Sequence, residues 1–173
     1  MKDYDFTLKF ALNRTGEELD AFVGRLGQEG CGDALVGIGQ AGRIALDFTR
    51  SSESAHDALL SALRDVKNAA PDAKLIEAAP DLAGLSDIAD ILGFSRQNMR
   101  KLMLAHSATF PLPVHEGNPS IWHLSQVLEW LRERGYEIDA ELIETASTCM
   151  HFNVANEMLK APGIKNDVLA LVA

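Results

Sequence analysis

Little in this chain of 173 residues points to covalent or metal chemistry. It has two cysteines, Cys31 and Cys149, far apart in sequence. They build no disulfide framework, so a reducing, cytoplasmic setting is the expectation. No charged start followed by an apolar run marks a signal peptide, and no apolar run approaches spanning length, so no membrane partner is expected. Cys149 with His151, and His115 with His123, lack the paired ligand spacing of a zinc motif. No Ser, His and Asp set and no carboxylate pair converges by any sequence argument. Neither an enzyme, a metal nor a cofactor is therefore expected. Positive charge is scarce too. Its 16 Lys and Arg stand against 25 Asp and Glu, a formal net charge of -9, so the whole molecule is not a non-specific polyanion binder.

The charge is uneven. Residues 1–82 hold 9 Lys and Arg against 14 Asp and Glu, and residues 136–173 hold 2 against 6, whereas residues 83–135 balance at 5 against 5. At 47% hydrophobic residues, the chain can bury one or two small cores.

In residues 4–12 (YDFTLKFAL), Tyr4, Phe6, Leu8 and Phe10 alternate with Asp5, Thr7 and Lys9, the period of a strand buried on one face. Thr15, with Glu18 three residues on, is a capping-box start for a helix through Leu19, Phe22, Val23 and Leu26, stopped at Gly27 or Gly30. Residues 34–39 and 43–49 read as two strands joined across Gln40, Ala41 and Gly42. A helix opened by Ser52 or Ser54 follows through Leu59, Leu60, Leu63 and Val66, and residues 74–78 supply a last strand. Strand, helix, strand, strand, helix, strand is the order of a ferredoxin-like α+β domain, expected over residues 1–80 for association or sensing. Within it, Gly37-Ile38-Gly39-Gln40-Ala41-Gly42 satisfies G-x-G-x-x-G, but an alternating strand follows where a phosphate site needs a helix N-terminus. The preferred reading is a glycine-rich hairpin.

Residues 80–84 (PDLAG) have the turn chemistry of a linker, after which the period becomes helical. Ser86 is placed to cap a short helix with Ile88, Ala89 and Leu92 inward. Gly93 makes a sharp turn, and Ser95 caps a second helix that buries Met99 and Leu102. Arg96, Gln97, Asn98, Arg100 and Lys101 then face outward. Pro111 and Pro113 force an extended run, residues 115–119 turn, and Ile121-Trp122 return as a strand. Leu124, Val127, Leu128 and Leu131 mark one more helix, ending at Gly135. Trp122 and Trp130 read as core anchors of this block.

The stretch 85–134 resembles the AlpA-type excisionase and MerR-like winged helix-turn-helix DNA-binding proteins. The resemblance is carried by Leu85-Ser86-Asp87-Ile88-Ala89, Leu92-Gly93-Phe94-Ser95-Arg96, Phe110-Pro111, Pro113-Val114, Trp122, Val127, Trp130 and Leu131. It covers under a third of the chain and implies a winged helix-turn-helix domain over residues 84–135 that binds specific double-stranded DNA. The second helix would lie in the major groove, with Ser95, Arg96, Gln97, Asn98, Arg100 and Lys101 as the DNA-binding residues. Side-chain chemistry agrees. Arg matches guanine O6 and N7, Asn and Gln match the adenine edge, and Arg100, Lys101 and Ser95 suit phosphates. The competing reading is an ordinary solvated helix face. The wing tip departs from the family pattern, because His115, Glu116 and Asn118 replace the usual basic residues.

One small reading head makes few phosphate contacts, so a homodimer on an inverted repeat is expected. From Asp139 a helix runs through Leu142, Ile143, Ala146, Met150, Val154 and Met158 to Pro162-Gly163, and Asn166 caps a last apolar helix. This segment, residues 136–173, either docks on the rest of the chain or forms a dimer or partner interface. The leading expectation is a cytoplasmic DNA-binding transcriptional regulator. The runner-up is an antitoxin or adaptor-type module whose acidic N-terminal domain and tail bind a protein partner. A weaker third is a ligand-binding regulator using the sheet face around Gly37 and Gly39.

Overall fold

A computed structural model describes residues 1–13 and 17–172, and for residues 17–20 the backbone alone. The expected Thr15 cap falls on residues 14–16 and so lies outside the described residues. The architecture is mixed α+β. Strand β1 (Lys2–Ala11) buries Tyr4, Phe6, Leu8 and Phe10, as its alternation requires. Helix α1 (Glu17–Gln28), strands β2 (Ala34–Ile38) and β3 (Arg43–Ser52), helix α2 (Ala55–Ala69) and strand β4 (Lys74–Ala79) follow. The four strands form an antiparallel sheet in the order β2-β3-β1-β4. Register sets Phe6 against Phe48 and Leu8 against Leu46, and the two Phe rings stack at 5.1 Å. Phe22 and Leu26 of α1 and Leu59 and Val66 of α2 close over these side chains. Ser54 caps α2, its Oγ accepting the Asp57 amide at 3.1 Å.

The glycine-rich segment joins β2 to β3 as a hairpin. Gly42 there has φ 74, and a Cβ on it would stand 2.9 Å from the Leu12 carbonyl oxygen, so both backbone and space require glycine.

Arg50 occupies the inward face of β3 after Ile44, Leu46 and Phe48, where period 2 alone leads to an apolar residue. All five of its N–H groups are engaged or faced by acceptors: Asp33 takes two bonds at 2.7 and 2.9 Å, Asp65 one at 2.8 Å, and Ser61 and the Gly30 carbonyl the rest. The bidentate Asp33 bond is the chief cause that drives the Arg50 pKa upward. A buried charge so fully paired is structural: it ties the loop after α1 to α2.

A second core gathers strand β5 (Leu82–Gly84), helices α3 (Leu85–Leu92) and α4 (Arg96–Ala105), strand β6 (Ile121–His123) and helix α5 (Leu124–Glu133). Two expectations are corrected here. Residues 82–84 are not only a linker: they pair antiparallel with β6, Ala83 opposite Trp122, and both residues are buried in the second core. Ser86 does not cap α3. The cap is Gly84, so the helix starts two residues earlier, and the Asp87 carboxylate reaches back to accept the Gly84 amide at 2.9 Å.

Helix α6 (Ala140–Lys160), capped by Asp139, joins the two cores, with Ile143 and Ala146 in the second and Cys149 in the first. Glu144 accepts the Tyr4 hydroxyl at 3.1 Å and the Ala55 amide at 2.8 Å, so α6 also satisfies a free donor at the start of α2. Burial pushes the Cys149 thiol far up and the Cys31 thiol up to about 11.

Asn153 does most to fix α6. Its carbonyl oxygen accepts the Ala78 amide at 2.7 Å, and its Nδ2 donates to the Ala78 carbonyl at 2.7 Å and to Asp81 at 2.8 Å. The outward backbone groups of edge strand β4 at Ala78 are thereby paired, and Asn156 Nδ2 donates to the Leu75 carbonyl at 3.0 Å. Asp81, 2% exposed, also faces His123 Nδ1 at 2.7 Å, and its carbonyl accepts the Leu124 amide at 2.8 Å. Helix α7 (Asn166–Val172) lies beyond α6 and buries no residue.

Asn153→Ala strands two backbone groups and one carboxylate oxygen in the interior, so it is expected to cost about 3 kcal/mol in urea unfolding. A loss under about 1 kcal/mol would show that water replaces the amide freely. At the start of α6, Lys2 pairs with Glu141 at 2.7 Å, and this hydrogen bond is the chief cause holding the Glu141 carboxyl down to about 2. A depressed carboxyl adds stability above its unfolded pKa and loses it as pH falls through the folded value. Lys2→Ala should therefore lower the urea midpoint at neutral pH, with the gap to wild type closing toward pH 2.

Candidate nucleic-acid interface

Helix α3 ends on Gly93 in the left-handed conformation, φ 66 and ψ 23, and its amide bonds back to Asp90 at 3.2 Å while that of Phe94 bonds to Ala89 at 2.8 Å. That turn aims α4 away from α3. Ser95 then caps α4, its Oγ accepting the Asn98 amide at 3.1 Å, which leaves the hydroxyl proton free to donate outward. Met99 is the one fully buried anchor of α4, contributing about 2 kcal/mol, with Leu102 and Met103 half-buried beside it.

All the residues expected to face outward do so. Ser95, Arg96, Gln97, Asn98, Arg100 and Lys101 are exposed. The helix holds no carboxylate, and Arg96, Arg100 and Lys101 make no hydrogen bond or ion pair among the described residues. Elsewhere Lys2, Lys9, Arg50, Arg132 and Lys160 are each paired with an acid. Three unpaired cations in two turns, added to the positive end of the helix dipole, make this face suited to an anion.

The structure divides the six residues into two groups. Arg96 and Arg100 line a concavity of about 440 Å³ together with Ser86, Asn118, Ser120 and Trp122. Gln97, Asn98 and Lys101 are not among its lining residues. The concavity lies between the start of α3, α4 and the loop before β6; Ser86 was expected only as a cap and Asn118 only at the wing tip, Ser120 was not singled out, and the Asp87 carboxylate also lines it.

The loop after α4 is held firmly. The Arg134 guanidinium lies 3.7 Å from the Trp130 ring centroid and donates to Thr109 Oγ1 at 2.8 Å. Phe110 meets Trp130 edge-on at 5.0 Å, and Trp122 Nε1 donates to the Pro111 carbonyl at 3.0 Å. Trp130 Nε1 is buried with no partner among the described residues. The expected hairpin wing is reduced to a bridge between His115 and Ile121, because the main partner of β6 is β5. His115, Glu116 and Asn118 are exposed at its tip.

No protein-family model matches the chain, and no curated protein or solved structure matches it. Among the described residues no helix is long and apolar enough to cross a membrane, and no group of three or more His, Cys, Asp or Glu is placed to hold a metal ion.

Ser95 allows cap and surface roles to be separated. Ser95→Ala removes the cap and should cost about 1 kcal/mol, a fall in Tm of roughly 2–4 °C. Ser95→Asp restores the cap and should keep the wild-type Tm; an equal fall in both variants would mean the cap contributes nothing.

Proposed function

We propose that the chain is a sequence-specific DNA-binding transcriptional regulator that inserts α4 into the major groove. The carrying observation is the acid-free outer face of α4, with Arg96, Arg100 and Lys101 unpaired on a chain of net charge -9. On this reading Arg96, Gln97 and Asn98, in the first turn, reach base edges, and Ser95, Arg100 and Lys101 hold phosphates. The polar loop residues Asn118 and Ser120, beside Arg96 and Arg100, lie near the backbone in place of a basic wing.

The finer fold names belong to the same proposal. Element order and the sheet order β2-β3-β1-β4 support a ferredoxin-like N-terminal domain. The left-handed Gly93 turn, the capped α4 and the β5–β6 pair support a reduced winged helix-turn-helix resembling the AlpA-type and MerR-like proteins. A cytoplasmic location and two copies on an inverted repeat complete the reading.

A second reading, an adaptor or antitoxin binding a protein partner, is favoured by the open sheet face. There Asp3, Asp5 and Asp47 pair with Ser51, Thr49 and Thr7 beside Leu35, which is 72% exposed. An acidic face with apolar edges repels DNA and suits a basic protein surface.

Selection of bound duplexes from a random pool at fixed salt separates the two. An enriched motif is expected, and Arg96→Ala with Asn98→Ala should abolish preference for it while leaving the Tm unchanged. Arg100→Ala with Lys101→Ala should weaken cognate and random duplexes alike and flatten the salt dependence by about two counterions. A pool with no enriched sequence would overturn the regulator reading.

A further inference from the structure

A groove of about 920 Å³ opens between α2, the start of β4 and the second half of α6. Leu60, Leu63, Leu75, Phe152 and Leu159 give it an apolar lining. Lys67, Lys74 and Lys160 also line it, and none of its lining residues is acidic, the reverse of the chain's overall charge.

A few residues past Lys160 lies the second unpartnered apolar surface. In and just before α7, Ile164, Val168, Leu169, Leu171 and Val172 are between 46% and 86% exposed, and Val154 and Met158 of α6 are exposed with them. Residues 168–172 (VLALV) are apolar at five successive positions, which at 100° per residue cover every side of the helix. A helix apolar all round requires cover all round. Folding back onto the groove of its own chain would cover one side of α7 and leave the opposite side in water. Lys67 donates to the Ala73 carbonyl and Lys160 pairs with Glu157, so among the described residues Lys74 is the groove lysine left to meet an acid, and Asp167 stands in the first turn of α7.

We propose that the groove receives α7 of a second copy of this chain, in a reciprocal exchange about a two-fold axis. The α7 of one copy is then enclosed by the groove of its partner and by the exposed Val154 and Met158 stripe at the interface. Pro162 and Gly163, φ 84, separate α6 from α7. The exchange takes place without DNA, so it stands or falls separately from the regulator reading.

Cysteine cross-linking of the full chain decides it, since Cys31 and Cys149 are buried. Ala155→Cys lines the groove and Ala170→Cys lies on α7; the two single variants are mixed, one with an extended tag, and oxidised mildly. The expected product is the mixed disulfide dimer. Sedimentation should show a wild-type dimer that becomes a monomer in Leu169→Asp with Leu171→Asp, with circular dichroism unchanged because α7 buries nothing within its own chain. Closure of the Ala155→Cys, Ala170→Cys double variant within single chains, with no mixed dimer, would show that α7 docks on its own groove and overturn the proposal. So would the absence of any cross-link, or a dimer indifferent to the two Asp substitutions. A failed duplex selection would leave this result untouched, and a monomer here would leave the duplex selection untouched.

Discussion

The side-chain amide of Asn153 is the point on which both halves of the molecule depend. It closes the outward groups of β4 at Ala78 and holds the Asp81 carboxylate, which faces His123 at the start of α5. Three chain segments that share no local contact therefore meet at one buried amide. Each group there would cost about 1–3 kcal/mol if stranded without a partner. A network of this kind is stable only when every member is satisfied, so it specifies one pose of α5 and α6 against the sheet. Apolar packing of Ile143, Ala146 and Cys149 alone would permit sliding of α6; the amide does not.

Charge follows a similar division. Inside, Arg50 is held by two carboxylates and Asp81 by an amide and an imidazole, so burial of charge is matched by hydrogen bonds. On the open sheet face each Asp of β1 or β3 pairs with a hydroxyl across the strands. Among the described residues, α4 carries Arg96, Arg100 and Lys101 with no acid on its own helix. Pairing them internally would have been simple for a chain with 25 acidic residues, so the contrast lies in their placement rather than in their number.

What could be read from residue order was local. The alternation of β1, the Gly42 hairpin, the Ser54 and Ser95 caps and the Gly93 turn each depend on a few neighbouring residues, and each is present. What could not be read was set at long range. Asn153 lies 75 positions from Ala78, and an Asn in a helix carries no local sign of its partner. Arg50 interrupts an apolar face and is explained only by Asp33 and Asp65 from other elements. Strand β5 looked like a linker because three residues have no period, and its pairing depends on β6, far along the chain. The six outward residues of α4 were legible as a face; their division between Arg96 and Arg100 in a concavity and the others outside it was not, since that depends on where the loop before β6 returns.

Helix α6 links the two exposed features. Phe152 lines the apolar groove, and its neighbour Asn153 holds the junction that sets the pose of α5 and, through Trp130 and Arg134, the loop after α4. Adjacent residues of one helix cannot move independently by more than side-chain rotation, because the backbone hydrogen bonds of that turn are shared. An occupant of the groove would touch the same turn of α6 that carries the junction residue Asn153. Coupling of this kind is reciprocal in free energy: whatever the groove gains from one pose of α6, that pose gains from a filled groove. Its size is bounded by the stiffness of the junction, and a fully satisfied buried network is stiff.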